Sequence, residues 1–496
     1  MSSYRVSRKP FIKKVFLLFI VLCVIVAFYH TNKALPENIS YTGPVHEVAS
    51  SDVRIFTDET FLDENGVRQS EQEIFDEIIR MIDDSTDYVL IDMFLFNDLL
   101  GAATTSYRGI TDELTSALIT KKEQNPDMIM QVITDPLNII YGGYSADHLG
   151  RLEAAGIPVI ITDLTYLRDS NPIYSAPWRI LGQWWGNSTE PGYFPNPFST
   201  TAQKLSARSY FHLLNFKANH RKVVLADYSR GGEYGLATLI TSANPHNGSG
   251  AHSNFAVRVD TKIWTDVLAT EAAVADMSNR EFLLPTREIS IDDADVDEDL
   301  LRVQLLTEGA IETGLLSLIG SLGAGDTLDM AMFYIADRHV VGALKEADDR
   351  GVQIRLMFDP NKDAFGREKG GLPNRQVAHE LMQHTLGNTR VRWCATHGEQ
   401  CHSKLVLAQT DGAVTLFQGS ANLTKRNIGD YNLETNMVIS GPSTDPAFVV
   451  TQTFFDEQWN NENDRLYTFP YEQYADDSLR KTIQYRVMEW TGLSSW

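Results

Sequence analysis

Cysteine is nearly absent: three occur in 496 residues, Cys23, Cys394 and Cys401. Two thiols and His397 would leave a zinc ion one ligand short, so no metal site is expected. Positive charge is also scarce, with 43 Lys and Arg against 65 Asp and Glu and a net charge of −22. Phosphate backbones need a basic surface, so this balance argues against a broad nucleic-acid footprint, though not against a local basic groove. Missing too are a P-loop, a paired-carboxylate glycosidase pattern and any Ser-His-Asp cue. What remains is ordinary globular composition at a length that allows two domain-sized cores, or one duplicated unit with insertions.

The first departure from that composition is the apolar run Val15–Tyr29, preceded by Arg5, Arg8, Lys9, Lys13 and Lys14. Basic residues before an apolar stretch stay cytoplasmic, which sends the rest of the chain outward. The run alone spans roughly 22 Å against a ~30 Å hydrocarbon core. A helix continuing through Thr31, with Lys14 snorkelling, would close the gap. An uncleaved anchor is the favoured reading and a cleaved signal peptide the alternative, because no convincing small-x-small site follows. In that outward compartment Cys394 and Cys401 are candidates for a disulfide just ahead of His402.

Further along, helical and strand patterns alternate. Helices are expected at 71–82, 110–118, 147–155, 311–322, 340–349 and 375–386. Strands are expected at 88–96, 128–133, 158–162, 327–335, 352–358 and 390–393. The order repeats, with Met93-Phe94 echoed by Met332-Phe333 and Asp135-Pro136 by Asp359-Pro360. Alternation of this kind implies layered α/β structure. The halves differ in spacing: 85 residues separate Asp135 from His220, but 43 separate Asp359 from His402. The surplus lies in 165–215, which carries Tyr166, Tyr174, Trp178, Trp184, Trp185, Tyr193, Phe194 and Phe198. Trp and Tyr favour the membrane–water boundary, so this insertion reads as a lipid-facing lid, or equally as an aromatic satellite core. Residues 288–299 form an acidic, solvated linker.

The chemistry-bearing residues sit at the ends of later strands. His402 and Lys404 open the apolar run Leu405–Ala408, and residues two apart on a strand share a face. A second strand leads to Gly419, Ser420 and Asn422. The same parts precede it as His220, Lys222 and Asp227, followed by Ser242 and Asn244. One His-x-Lys is weak evidence, but two copies with the same sequel are not. The chain here resembles the phospholipase D superfamily, whose signature is a duplicated His-x-Lys-x4-Asp with a downstream Ser-x-Asn. The first copy matches through Asp227; the second has Gln409 in that place, with Asp411 two residues on. Asn219-His220-Arg221-Lys222 is similar to the motif of bacterial cardiolipin synthases.

The resemblance implies two α/β repeats forming a pseudo-twofold pair with the active site between them. It also implies metal-independent, cofactor-free transfer through a phosphohistidine. One imidazole attacks phosphorus while the other protonates the leaving oxygen and then activates water or an alcohol. Lys222 and Lys404 would neutralise the phosphoryl oxygens, with Ser242, Asn244, Ser420 and Asn422 completing the cradle; Asp227 and Gln409 would support them. Relatives carry an acidic residue in an Asn-x-Glu setting that orients a catalytic imidazole, matched by Asn432-Leu433-Glu434. Counting equally in the first half reaches Asn254-Phe255-Ala256, without a carboxylate, although Asp260 could serve after a gap. His402 with Glu434 is therefore the expected nucleophile and His220 the acid/base. His212, His246 and His252 are expected to satisfy local turns.

The expected organisation is a basic cytoplasmic segment 1–14, a transmembrane anchor 15–31 and a linker 32–53. A first repeat 54–285, an acidic linker 286–300 and a second repeat 301–496 follow. The expected partners are a phospholipid membrane and a small alcohol or water as acceptor. The expected activity is that of a membrane-anchored phosphodiesterase or phosphatidyl transferase with its catalytic region extracytoplasmic. A membrane-tethered nuclease of the same superfamily and an inactive binding module are the alternatives.

Overall fold

The computed structural model describes residues 9–102, 107–290, 300–364, 366–494 and 496. Most of the acidic linker, 291–299, lies outside the described residues. Two mixed sheets dominate. The first has eight strands in the order Arg68–Gln72, Val53–Leu62, Asn254–Val259, Glu233–Thr241, Lys222–Arg230, Tyr88–Met93, Ile129–Thr134, Val159–Ile161. The second has nine, in the order His46–Ala49, Leu300–Thr307, Thr435–Pro442, Ala413–Gly419, Lys404–Gln409, Thr327–Met332, Gln353–Phe358, Thr389–Cys394, Thr468–Pro470. From Val53–Leu62 in one and Leu300–Thr307 in the other, seven strands follow the same order. In both, the three strands joined through helices pair in parallel and their neighbours antiparallel. The expected duplication is therefore written into the topology.

The central strands read as unbroken apolar runs because both of their faces are buried. Val223, Phe255 and Val257 of the first sheet share one core with Leu305, Leu405, Leu407 and Met437 of the second, so the sheets pack face to face. On the outer faces, helices such as Ile74–Asp84 and Ile110–Gln124 cover the first sheet, while Gly309–Ser321 and Arg338–Asp349 cover the second. That arrangement sets the ends of Lys222–Arg230 and Lys404–Gln409, where the histidines lie, at the seam between the halves.

Several boundaries move from their sequence expectation. The helix expected from Glu71 begins at Ile74, because Arg68–Gln72 pairs as an edge strand with Val53–Leu62. The expected linker 32–53 is folded: Ile39 is buried, and His46–Ala49 adds a strand antiparallel to Leu300–Thr307. The N-terminal helix runs from Lys9 to Asn32, longer than its apolar run, and Phe11–Asn32 is long and apolar enough to cross a membrane. At ~1.5 Å per residue these 22 residues reach about 33 Å, which removes the shortfall.

Cys394 and Cys401 are joined in a disulfide, with Cα atoms 6.1 Å apart, and Cys23 is free. Closing so short a loop stabilises by about 2–3 kcal/mol through chain entropy. Reduction, or the double change Cys394→Ala with Cys401→Ala, is expected to lower the denaturation midpoint by that equivalent. A midpoint indifferent to reductant would contradict this.

Candidate active site

Each histidine is fixed by the same set of contacts, and half of each set comes from the opposite repeat. The backbone N–H of His220 donates to Leu433 O at 2.9 Å, and that of Leu433 donates to Ala218 O at 2.9 Å. In the other direction, His402 N–H donates to Ser253 O at 2.8 Å and Ser253 N–H to Gln400 O at 3.1 Å. Asn219 with Leu433, and Cys401 with Ser253, thus form parallel bridges across the seam. The Asp-Pro pair seen twice in the sequence anchors these loops. Asp135 accepts from Asn219 N–H at 2.6 Å and Asp359 accepts from Cys401 N–H at 2.9 Å, each on the residue before a histidine. Burial pushes the Asp135 and Asp359 carboxyls up to about 7 and about 6. Their positioning role was not drawn from the sequence, although the repeated Asp-Pro was its signal.

The cross-bridges decide which imidazole receives the carboxylate. Glu434 follows Leu433 and lies 2.9 Å from Nδ1 of His220, not beside His402 as expected. His402 Nδ1 instead meets Asn254 Oδ1 at 3.2 Å. The sequence expectation took each acid and histidine from one repeat, whereas the strand that carries the acid crosses to the other. Asn254 is the counterpart of Glu434, two residues off the equal count. Phe255 N–H donates to Ser242 Oγ at 3.0 Å and Thr435 N–H to Ser420 Oγ at 2.9 Å; these serines bond in turn to Asn254 and Glu434. Asp260 pairs with Arg54 and Arg258 and is not a substitute.

Both histidines line one cavity of about 650 Å³, together with Asn244 and Asn422. Ser242 and Ser420 are turned instead to Asn254 and Glu434, so they position those groups and do not line the cavity. Lys222 and Lys404 lie buried beneath, each Nζ donating at 2.8 Å to the carbonyl of its own histidine. Phe94 and Phe333 repeat the symmetry: each ring lies against one histidine, at 4.6 and 4.9 Å between centroids, and below one lysine ammonium, at 5.2 and 5.4 Å. Gly419 marks a close backbone approach beside the site, since a Cβ there would stand 2.3 Å from Thr435 O.

Burial, together with the two ammonium groups, pushes His220 down to about 4 against the opposing pull of Glu434. It also lowers His402, with Lys404 the next cause. Both imidazoles are therefore neutral near pH 7. Burial lowers Lys222 to about 7, and it lowers Lys404 with the Lys222 charge adding to the effect. Glu434 and neighbouring aspartates offset the two ammonium charges only in part, and an anion between the histidines would add to that countercharge.

Asp227 accepts from the backbone N–H groups of Thr86, Asp87 and Tyr88 at 2.8–3.0 Å, and so holds the turn before a neighbouring strand. Gln409 stands at the corresponding strand end, paired with Thr327 and roughly 16 Å of extended chain from Lys404. Its departure from the motif falls on the scaffold. His246 bonds to Ser249 Oγ and Leu99 O, and His212 stacks on Tyr141, so both serve local structure; His252 packs 5.8 Å from His402.

The rest of the lining is largely apolar. Leu95, Leu99, Leu137 and Tyr141 come from the first repeat and Phe333 with Tyr334 from the second. The 165–215 insertion adds Phe198, Tyr210, Leu213 and Leu214. Trp178 is buried, whereas Trp184, Trp185 and Tyr193 are exposed, so the insertion serves partly as cavity wall, partly as local core and partly as an exposed aromatic surface. It also grips the end of the N-terminal helix. Asp169 N–H donates to His30 O at 2.9 Å and Lys33 Nζ to Thr165 O at 3.1 Å.

Two like halves meeting over a shared pair of histidines define a phospholipase D-type scaffold. Sequence comparison points the same way for the second repeat: the family model described as "Cardiolipin synthase, PLD-like domain" matches residues 316–459. No curated protein matches the chain by sequence. Among solved structures, phosphatidylserine synthase from Haemophilus influenzae Rd KW20 has the same fold, with a TM-score of 0.55 at 11% identity over 95% of this chain and 99% of that one. Polyphosphate kinase from Porphyromonas gingivalis gives 0.43 at 15% identity, over 84% of this chain and 51% of that one. The phospholipase D family member Nuc from Salmonella typhimurium gives 0.26 at 19% identity, over 34% and 97%.

Proposed function

We propose that the protein is a membrane-anchored, phospholipase D-like phosphodiesterase or phosphatidyl transferase that acts on phospholipids through a phosphohistidine, in the manner of a cardiolipin synthase or a phospholipase D. The observation that carries this reading is one apolar-walled cavity that holds both histidines, only one of them backed by a carboxylate. His220 donates its Nδ1 proton to Glu434, which leaves the lone pair on Nε2 free to attack phosphorus. As the N–P bond forms, the ring becomes cationic and Glu434 stabilises it. The bond from phosphorus to the leaving oxygen breaks, and that oxygen takes a proton from His402, which is protonated once the substrate's phosphate lies beside it and raises its affinity for a proton. Asn254 is neutral and does nothing to hold that proton, which makes His402 the better acid. His402 then removes a proton from water or an alcohol, whose oxygen attacks phosphorus and releases His220. Lys222 and Lys404 offset the phosphoryl charge. His220 thus replaces His402 as nucleophile.

The apolar walls, the adjoining N-terminal helix and the acidic composition all favour a lipid over a nucleic acid. Five basic residues ahead of the apolar run Val15–Tyr29 favour a cytoplasmic N-terminus and an extracytoplasmic catalytic region, where a disulfide is stable. The test is the full chain in vesicles with labelled phospholipid, with and without glycerol, and separately with single-stranded DNA. Phosphatidic acid or a glycerol transfer product is expected, with little effect of EDTA. Cleavage of DNA without lipid turnover would select the nuclease, and no reaction on either substrate would select the binding module.

The carboxylate also sets the pH dependence. Neutral His220 is the nucleophile, so kcat/KM should fall as pH drops through about 4. Glu434 raises the affinity of that ring for a proton, so Glu434→Gln should move the acid limb to lower pH. It should also lower kcat by roughly 10²- to 10⁴-fold. A limb that stays in place or moves upward would remove Glu434 from this role.

A further inference from the structure

The helix Leu479–Thr491 lies beyond every motif, yet its outer face has no covering among the described residues. Leu479, Ile483, Val487 and Trp490 are 71, 56, 51 and 78% exposed, while Tyr485 and Glu489 opposite are 0 and 6% exposed. At ~100° per residue the four apolar side chains fall in a stripe roughly 80° wide. Arg486, paired with Glu380 at 3.0 Å, stands on one edge of it and Arg480 on the other, so cations flank an apolar stripe as on a helix that lies in a membrane surface.

What brings a bilayer to this stripe is its continuity with the N-terminal helix. The C-terminal end of the stripe helix is seated on the insertion: a Cβ on Gly492 would stand 1.8 Å from Ser170 O. Arg426 ties the two together, with Nη2 donating to Gly492 O at 2.9 Å and Nε to Ser170 Oγ at 3.3 Å. The next residue, Asp169, is the one that bonds to His30 in the last turn of the membrane helix. On its inner side Glu489 accepts from Trp496 Nε1 at 3.2 Å, and Trp496 lines the catalytic cavity. One short chain of contacts therefore links membrane helix, stripe and cavity.

We propose that Leu479–Thr491 is a second membrane contact, which lies in the interface of the leaflet that the N-terminal helix enters and holds the cavity mouth against it. The inference rests on the proposed anchoring, and not on which lipid is turned over. A crossing helix alone leaves the catalytic region free to swing, whereas two contacts fix its tilt, so the cavity would draw lipid from its own membrane.

The test uses the full chain in nanodiscs of phosphatidylethanolamine and phosphatidylglycerol, with nitroxide labels read for access to oxygen and to a water-soluble nickel chelate. A label on native Cys23 reports the anchor. Ile483→Cys and Val487→Cys, each with Cys23→Ser, report the stripe, and Leu386→Cys serves as an exposed apolar reference outside that helix. The expected oxygen-to-nickel ratio is several-fold higher at 483 and 487 than at 386. An aqueous ratio at 483 and 487 with Cys23 in lipid overturns the second contact alone, whereas an aqueous Cys23 overturns the anchoring beneath it. Spin–spin broadening at 483 that vanishes on dilution with unlabelled chain would seat a second copy on the stripe and overturn the proposal.

Discussion

His220→Ala should leave no covalent intermediate and lower turnover by at least ~10⁴-fold, while His402→Ala, given an activated substrate, should stop after the first bond is made. The two outcomes differ because the surroundings of the two rings differ. On the proposed mechanism Glu434, at 2.9 Å, stabilises the ring that becomes cationic on phosphorylation, and only His220 has it. His402 has the Asn254 amide, which offers a hydrogen bond and no charge. With an activated substrate whose leaving group needs no proton, the His402→Ala variant should still form the bond from His220 to phosphorus. Lacking the base that activates water, it should then accumulate phosphatidyl-His220. Mass spectrometry of the quenched variant can locate the adduct. An adduct on His402 in His220→Ala, with none on His220 in the reverse variant, would exchange the two roles.

Arg221→Ala should cost ~3–5 kcal/mol of stability, because it strands buried carboxylates. Arg221 is fully buried; its guanidinium donates to Glu308 at 2.9 Å and to Glu271 at 3.2 Å, one from each half of the chain. Burial pushes Glu308 up to about 7, and burial together with the Glu271 charge raises Asp92. Glu308 in turn accepts the backbone N–H of Glu434 at 2.9 Å, so the pair also steadies the carboxylate behind His220. Denaturant unfolding in detergent measures the loss. Arg221→Met combined with Glu308→Gln should recover part of it, since the second change removes one orphaned charge. A loss below ~1 kcal/mol for Arg221→Ala would show that water reaches the cluster and screens it.

Elements with a strong period were legible in the sequence. The paired strands, the helices between them and the repeated His-x-Lys all followed from alternation and self-similarity, and the seven-strand correspondence bears out the duplication. The partner of each histidine was not legible. Periodicity reports which face a residue occupies within its own repeat, but the contact between Leu433 and His220 joins segments 213 residues apart. Asn254 escaped for a smaller reason: a two-residue difference between the strand connections displaced it from the equal count. Asp135 and Asp359 act through backbone N–H groups, which leave no trace in residue type at the other end of the bond.

The bridges across the seam have a consequence for how two copies of one unit can diverge. Each histidine depends on a side chain lent by the other copy, so neither half holds a finished tool. Once the lender to His220 is an acid and the lender to His402 an amide, the copies are no longer interchangeable: on the proposed mechanism one bears the phosphorus and the other ferries the proton. A change of residue type in either copy is then felt in the other's chemistry, and the two tasks can be tuned separately within a symmetric frame.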